Sequence, residues 1–368
     1  MSYIMRVAVV HDSLIQKGGA EKLLSAICRL WPGAVLFSSI ASNYWQNYYS
    51  KLGVELHLSW MQKLPFKSLA EKIYFPFYSI AFSGFDFSDF DVVISSSARF
   101  AHHLIIPPSV LHICYCNSPG RMFWQPHDYF QNRLLFRKLL TPWLSRLRIK
   151  DWVCSRLVDS YIANAGWPQK RIHHFYKRSS RIIHPFVNVD SLSEHLDGIC
   201  PKDGPFLVVS RLVGWKRVDL AIKACAILNF PLVVVGDGPD RRRLEKYCSN
   251  GILLAGRLTD SQLKAYYESC RAVIITQEED FGLVSLEAQA HGKPVIAYGK
   301  GGSVETVAEG ETGLFFKEQS VVSLVNTLKV FDGIQFLRQK CFAQAKNFSY
   351  QRFAKELEEF VIKAWQKQ

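Results

Sequence analysis

The chain has 368 residues, 48% of them hydrophobic, and 45 lysines and arginines against 32 acids give it a net charge of +13. That length exceeds one ordinary domain and divides naturally into two α/β domains of roughly 150 to 200 residues each. No run reaches the ~18 uninterrupted apolar residues of a membrane span, and Met5 to Val10 is too short for a signal peptide and breaks at His11 and Asp12.

Nine cysteines, scattered from Cys28 to Cys341, show no spacing suited to a disulfide framework or a zinc site, which implies a cytoplasmic setting. In chain order, the first half offers strands at Arg6–Val10, Ala34–Phe37, Val92–Ser95, Leu111–Cys116 and Tyr161–Ala163, with helical patterns between them. Such alternation argues for a parallel sheet. Gly18 and Gly19 fall between the first strand and its helix, where backbone can come close to a phosphate or a sugar; a plain tight turn is the alternative. Asp89 and Asp91 mimic a metal-binding DxD pair, but they open a strand and read as a loop-to-strand turn. Cys114 and Cys116 share a strand face and read as small core residues. His112 reads as a satisfied core histidine, and Asn117 could hydrogen-bond a sugar hydroxyl.

Charge is concentrated in this half, with an excess of +10 in residues 1–195 and +3 in the rest. Residues 121–156 hold eight basic and two acidic side chains, interleaved with Phe123, Trp124, Tyr129, Phe130, Phe136, Trp143 and Trp152. No nucleic-acid-binding motif accompanies them, so no nucleic-acid partner is expected. Basic and aromatic residues together suit an anionic leaflet, and the apolar segment 73–85 is too short to span but long enough to lie at the interface. The expectation is a peripheral protein on the inner face of the cytoplasmic membrane.

Residues 1–185 thus read as a first, membrane-facing domain, and 186–205, with Pro201, Gly204 and Pro205 and no periodicity, read as a linker. The second domain, 206–349, has strands at Leu207–Ser210, Leu232–Val235, Ile252–Ala255, Ala272–Ile275 and Val295–Ala297, and a final helix lies within 350–368. Gly236 and Gly238 suggest a dinucleotide fingerprint, but Arg241 occupies the last glycine position, which removes the main support for hydride chemistry.

The segment TQEEDFGLVSLEAQAHGKPV, residues 276–295, carries most of the chemistry. A strand precedes it, and Leu283, Leu286 and Ala290 recur at helical spacing after Gly282. The acidic pair Glu279 and Glu287 therefore sits at a strand-to-helix switch, where ligands bind in doubly wound sheets. Gly282 lets a diphosphate approach amides that lack intrahelical partners, while carboxylates beside it suit hydroxyls of a sugar and a ribose. A solvated acidic loop capping the helix is the bland alternative.

This segment resembles the E-x7-E motif of the family-4 retaining glycosyltransferases, enzymes of the two-domain GT-B fold. Arg211-Leu-Val-Gly-Trp-Lys216, Val233 to Pro239, Ala255-Gly-Arg257, Gly301-Gly-Ser-Val-Glu305 and Gly310 to Leu314 follow in the family's order, and His11-Asp-Ser with Gly18 to Glu21 is similar to its first glycine-rich loop. The resemblance implies an α/β fold of two Rossmann-like doubly wound domains facing a central cleft, the first binding the acceptor and the second the nucleotide sugar, with the C-terminal helix crossing back to the first. It implies Arg211, Lys216 and Glu279 as catalytic residues. Gly18, Gly19, Gly236, Arg257, Phe281, Gly282, Leu283 and Glu287 would complete the donor site, with Asn117, Gly301 and Gly302 as possible sugar or acceptor contacts. Asn117 stands where the family often has a histidine. No metal and no cofactor are expected, the nucleoside diphosphate sugar being a substrate. The segment from Ser95 to Trp124 is similar to bacterial mannosyltransferases of O-antigen or exopolysaccharide synthesis, which favours GDP-mannose as donor and a polyprenyl-diphosphate-linked or other glycan as acceptor. A UDP-sugar enzyme of the same fold, a non-hydrolysing epimerase and a non-catalytic nucleotide-sugar binding module are the alternatives.

Overall fold

The computed structural model describes residues 5–65, 74–127, 134–189 and 198–368. It divides into two compact units, Met1–His184 with Phe353–Gln368, and Pro185–Arg352. Each is built on a wholly parallel sheet among the described residues.

Unit 1 has seven strands in the order β3-β2-β1-β4-β5-β6-β7. They are β1 (Val7–His11), β2 (Val35–Ser38), β3 (Leu56–Leu58), β4 (Val92–Ser97), β5 (Leu111–Cys116), β6 (Ser160–Ala163) and β7 (Arg181–Ile182). Every residue of β1, β4 and β5 is buried, as expected when helices cover both faces. Cys114 and Cys116 lie in one core cluster with Tyr161 and Tyr176, the small-residue role expected of them. His112 is also interior, with Nε2 2.8 Å from Ser95 Oγ. The final helix, Tyr350–Trp365, buries Phe353, Leu357 and Val361 at helical spacing, and Phe353 packs its ring against Tyr115 of β5.

Unit 2 has six strands in the order β10-β9-β8-β11-β12-β13: β8 (Phe206–Val209), β9 (Leu232–Val235), β10 (Ile252–Gly256), β11 (Ala272–Ile275), β12 (Val295–Tyr298) and β13 (Gly313–Phe316). Its strands feed two cores by strict alternation. Phe206, Val208, Val234, Ile274 and Ile296 face one, and Leu207, Val233, Val235, Ile275 and Ala297 face the other. A period of two with both faces apolar is what double winding requires. The segment 186–205, expected as a linker, belongs to unit 2 where it is described. The Val187 amide donates to Phe348 O, the Cys200 amide donates to Phe336 O, and Cys200 enters a core cluster.

Candidate functional site

Both sheets reverse their winding direction at one point, between β1 and β4 in unit 1 and between β8 and β11 in unit 2. A crevice opens outside the carboxyl ends of the strands at such a point. In unit 2 the loops flanking it carry the residues singled out in sequence. Lys216, after β8, and Glu279, after β11, are brought together across 63 residues because their strands are neighbours: Lys216 Nζ lies 2.8 Å from Glu279 Oε1. The two side chains are 14% and 16% exposed, so the pair is largely withdrawn from water but open to a ligand. Lys216 Nζ also sits 4.3 Å from the centroid of the Trp215 ring. Thr276 Oγ1 donates to Lys216 O at 2.7 Å, tying the 3₁₀ turn Gly214–Lys216 to the end of β11. Gln277 Nε2 donates to the same Glu279 Oε1. The other carboxylate oxygen, Oε2, has no partner among the described residues and can accept from a hydroxyl. Arg211 is exposed, with its guanidinium unengaged among the described residues.

Gly282 takes φ +102°, a left-handed turn that a side chain would strain, and opens the helix Leu283–Ala290. The amides of Leu283 and Val284, at its first turn, lack intrahelical acceptors. Gly301 and Gly302 are glycines for reasons of packing. A Cβ on Gly301 would come 2.3 Å from Glu279 O, and one on Gly302 would meet the backbone of Phe281 at 2.3 Å. The Gly302 amide, expected to be free for a ligand, donates to Glu279 O at 2.8 Å instead. These glycines therefore press one loop against the backbone that carries Glu279. Gly236 acts likewise, since a Cβ there would meet Ser210 O at 2.0 Å.

The remaining residues singled out in sequence are spread over both units. Phe281 is buried and packs against Phe348, so its ring is a core anchor. Glu287 is half-buried, and its Oε2 accepts from Tyr267 Oη at 3.1 Å; burial, and then this carboxylate, push the Tyr267 hydroxyl well above the ordinary tyrosine range. Arg257 is exposed after the edge strand β10. Gly18, Gly19 and Asn117 belong to unit 1, where Gly18 caps the helix Gly19–Leu30 in an extended conformation that any residue adopts. Asn117 Nδ2 donates to Ser96 Oγ at 3.3 Å. Sequence reasoning missed Ser303, whose wholly buried hydroxyl has no partner among the described residues and lies beside Gly282. The signal was its place directly after two glycines that follow a strand.

Unit 1 has its own polar centre at its switch point, also missed. Asp12, after β1, accepts from the amides of Ala98, Arg99, Phe100 and Ala101 at 2.7–3.0 Å and so fixes the loop after β4. That loop leads to His102 and His103, whose Nε2 atoms lie 3.1 and 2.8 Å from Asp151 Oδ1. Asp151 Oδ2 accepts from Trp124 Nε1 at 2.5 Å. Burial opposes ionisation of Asp151, but hydrogen bonds and charge from the two histidines outweigh it and hold the carboxyl below its usual range. Burial likewise works against a charged His102, yet Asp151 raises it; in His103 burial prevails and lowers it. Burial, then the charge of His102, take His112 down to about 3.

The basic aromatic stretch 121–156 divides between core and surface. Phe123 and Trp124 join the core of unit 1, and Arg148 turns inward to donate to Phe123 O at 2.8 Å. Trp143, Arg146, Ile149, Lys150, Val153 and Leu157 are exposed at helical spacing along and just beyond the helix Leu134–Arg156. Tyr129 and Phe130 lie outside the described residues, as do the side chain of Phe136 and residue 73. In the described part of 73–85, Tyr78, Ala81 and Phe82 are buried, leaving Phe77, Ile80 and Gly84 exposed, because the short helix Tyr78–Phe82 seals the core. No helix among the described residues is long and apolar enough to cross a membrane.

Residues 198–348 match the family Glycosyl transferases group 1. That segment is 151 of the 368 residues. It contains Lys216, Glu279, Gly282 and Gly302. An α-1,3/1,6-mannosyltransferase, alg-2 of Neurospora crassa, is 26% identical over 263 residues, 57% of this chain and 54% of its own. The chain spans about half or less of the length of the curated relatives it matches. Among solved structures, sucrose-phosphate synthase from Thermosynechococcus elongatus has a TM-score of 0.74 at 17% identity, covering 99% of this chain and 100% of its own. HepE of Anabaena, in complex with UDP, has a TM-score of 0.69 at 16% identity, covering 98% and 100%. These likenesses establish the fold, two parallel-sheet Rossmann-like domains of the GT-B class.

Proposed function

We propose that the protein is a retaining, metal-independent glycosyltransferase that moves a hexose from a nucleoside diphosphate sugar to a lipid-linked glycan in bacterial surface polysaccharide synthesis. The observation that carries this reading is the Lys216–Glu279 pair at the unit 2 switch point, beside the open helix terminus at Gly282. As the bond from the anomeric carbon to the diphosphate oxygen breaks, negative charge builds on the leaving group. Lysine has three N–H donors, so Lys216 can turn to the diphosphate while keeping Glu279, and the exposed Arg211 adds a planar fork. The amides of Leu283 and Val284 contribute at the positive end of their helix. Glu279 Oε2 holds a sugar hydroxyl, the acceptor oxygen bonds to the anomeric carbon on the same face, and its proton passes to the departing phosphate. Charge from these side chains supplies what a metal would, and no cofactor enters.

GDP-mannose leads as donor, supported by the mannosyltransferase relative. HepE, solved with UDP, keeps a UDP-sugar as the second reading. Peripheral attachment to the inner face of the cytoplasmic membrane is supported by the exposed basic and apolar stripe of the helix Leu134–Arg156.

The test incubates the protein with GDP-mannose, UDP-glucose and other sugar nucleotides, with and without a lipid-linked acceptor, and reads the product's anomeric configuration by NMR. Transfer with retention is the expected result. Conversion of donor without acceptor would identify an epimerase. Nucleotide binding without transfer to any acceptor would leave a binding module. In parallel, a ligand at ~100 times its dissociation constant should add roughly 2.7 kcal/mol of stability, and a melting temperature that no nucleotide moves would remove the site assignment altogether.

A further inference from the structure

Unit 1 contains a cleft of about 900 Å³ along the helix Gly166–Tyr176 and the turn that follows it. At ~30 Å³ per water, it has room for on the order of thirty waters, far more than one phosphate ion fills. Its lining includes Lys170, His173, His174, Lys177 and Arg178 and, among the described residues, no acidic side chain. Lys170 and Lys177 stand seven residues apart on one stretch of chain, with no acidic residue between them.

The basic groups fall into two kinds. Two guanidiniums are committed to structure: Arg178 donates to Arg156 O, Val158 O and Asp159 O, and the buried Arg171 donates to Ser118 Oγ and Gln125 Oε1, both at 2.6 Å. They make the wall rigid. The ammonium groups of Lys170 and Lys177, in contrast, have no hydrogen bond or ion pair among the described residues. In the same wall the Ser180 hydroxyl is shielded from solvent and has no partner among the described residues. Trp167 and Phe175 add apolar surface, and Phe175 is held by stacking on Trp124 at 4.8 Å.

We propose that this cleft is a binding site for a phosphate-bearing ligand, with the phosphate taken by Lys170 and Lys177 and the attached ring or glycerol resting on Trp167. Lysine offers a mobile point charge and three donors to phosphate oxygens, and an aromatic wall suits a sugar face or the head of a lipid. A soluble sugar phosphate and an anionic lipid headgroup share this chemistry. The inference does not rest on the donor-site reading, which concerns unit 2.

The test uses the full chain carrying Arg211→Ala and Lys216→Ala, so that the unit 2 crevice does not contribute. Calorimetry with inorganic pyrophosphate and with glucose 1-phosphate forms one arm; sedimentation with phosphatidylcholine vesicles, with and without phosphatidylglycerol, forms the other. Binding in either arm is expected, and it should weaken ~10-fold or more on adding Lys170→Ser and Lys177→Ser, since each removes a charge-assisted contact. Both side chains are exposed, and an unchanged melting temperature would verify that the variant folds. A ligand-induced fluorescence change lost in Trp167→Phe would place the ligand in this cleft. Binding equal in the parent and the double-serine variant, or no binding in either arm, would overturn the proposal.

Discussion

Lys216 reaches Glu279 from a neighbouring strand, and its removal deletes one ammonium without touching the core. Lys216→Ala is therefore expected to lower turnover by ~10²-fold or more, the effect typical of losing one preorganised charge, with the melting temperature little changed. Lys216→Arg should recover only part of the rate, because a planar fork does not reproduce a point charge. Steady-state kinetics with circular dichroism checks both, and near-parental turnover in folded Lys216→Ala would refute the role. The buried histidines give a second expectation at this scale. His112 has a folded value of about 3 against ~6.5 in an unfolded chain, so unfolding takes up a proton over that interval and stability falls as the solution is acidified through it. His103 acts in the same direction, whereas His102 and its raised value act oppositely, at and above ~6.5. Replacing His112 with Gln should flatten the acid limb by about 1.4 kcal/mol per pH unit, measured as unfolding free energy from pH 6.5 to 4. An unaltered slope would mean that His112 titrates normally.

Among the elements, the helix Leu134–Arg156 carries the surface expectation. Arg146→Glu with Lys150→Glu should release the protein from anionic vesicles yet leave transfer to a short soluble acceptor intact, and salt should weaken parental binding as the Debye length falls from ~10 Å at 0.1 M to ~3 Å at 1 M. Arg148 is unsuitable for reversal because its guanidinium holds the Phe123 carbonyl. Vesicle binding indifferent to both reversal and salt would leave the stripe without that role. What could be read in sequence follows from packing. Strands near the middle of each sheet, such as Leu232–Val235 and Ala272–Ile275, are continuous apolar runs and were legible. The edge strands β3, β7 and β13 were not, because Leu56–Leu58 and Arg181–Ile182 are too short to show a period and Gly313–Phe316 opens on a glycine, pressed against the Val295 backbone. Lys216 and Glu279 were singled out by the family motifs they sit in, and strand ends and glycines mark their loops. Asp151 was not, since a helical aspartate within a basic stretch shows nothing locally of the histidines 48 and 49 residues before it. The packing role of Gly302 was equally hidden, as its neighbour is the backbone of Phe281, reached through a different strand.

On the scale of the whole molecule, the two units should respond separately to damage. Ending the chain at Arg352 removes Phe353, Leu357 and Val361 from unit 1, three side chains worth roughly 1.5–3 kcal/mol each when buried. Unit 1 should then melt earlier by calorimetry, while nucleotide still raises the transition of unit 2; equal loss of both would show that the units are not independent. The same feature has a consequence during synthesis. Every residue of unit 2 leaves the ribosome between His184 and Phe353, and at ~5–20 residues per second that interval lasts roughly 10–30 s. Throughout it the nascent first sheet lacks the helix that seals Tyr115, leaving an apolar face for chaperones to shield. A slow stretch of codons within residues 185–352 would lengthen that exposure.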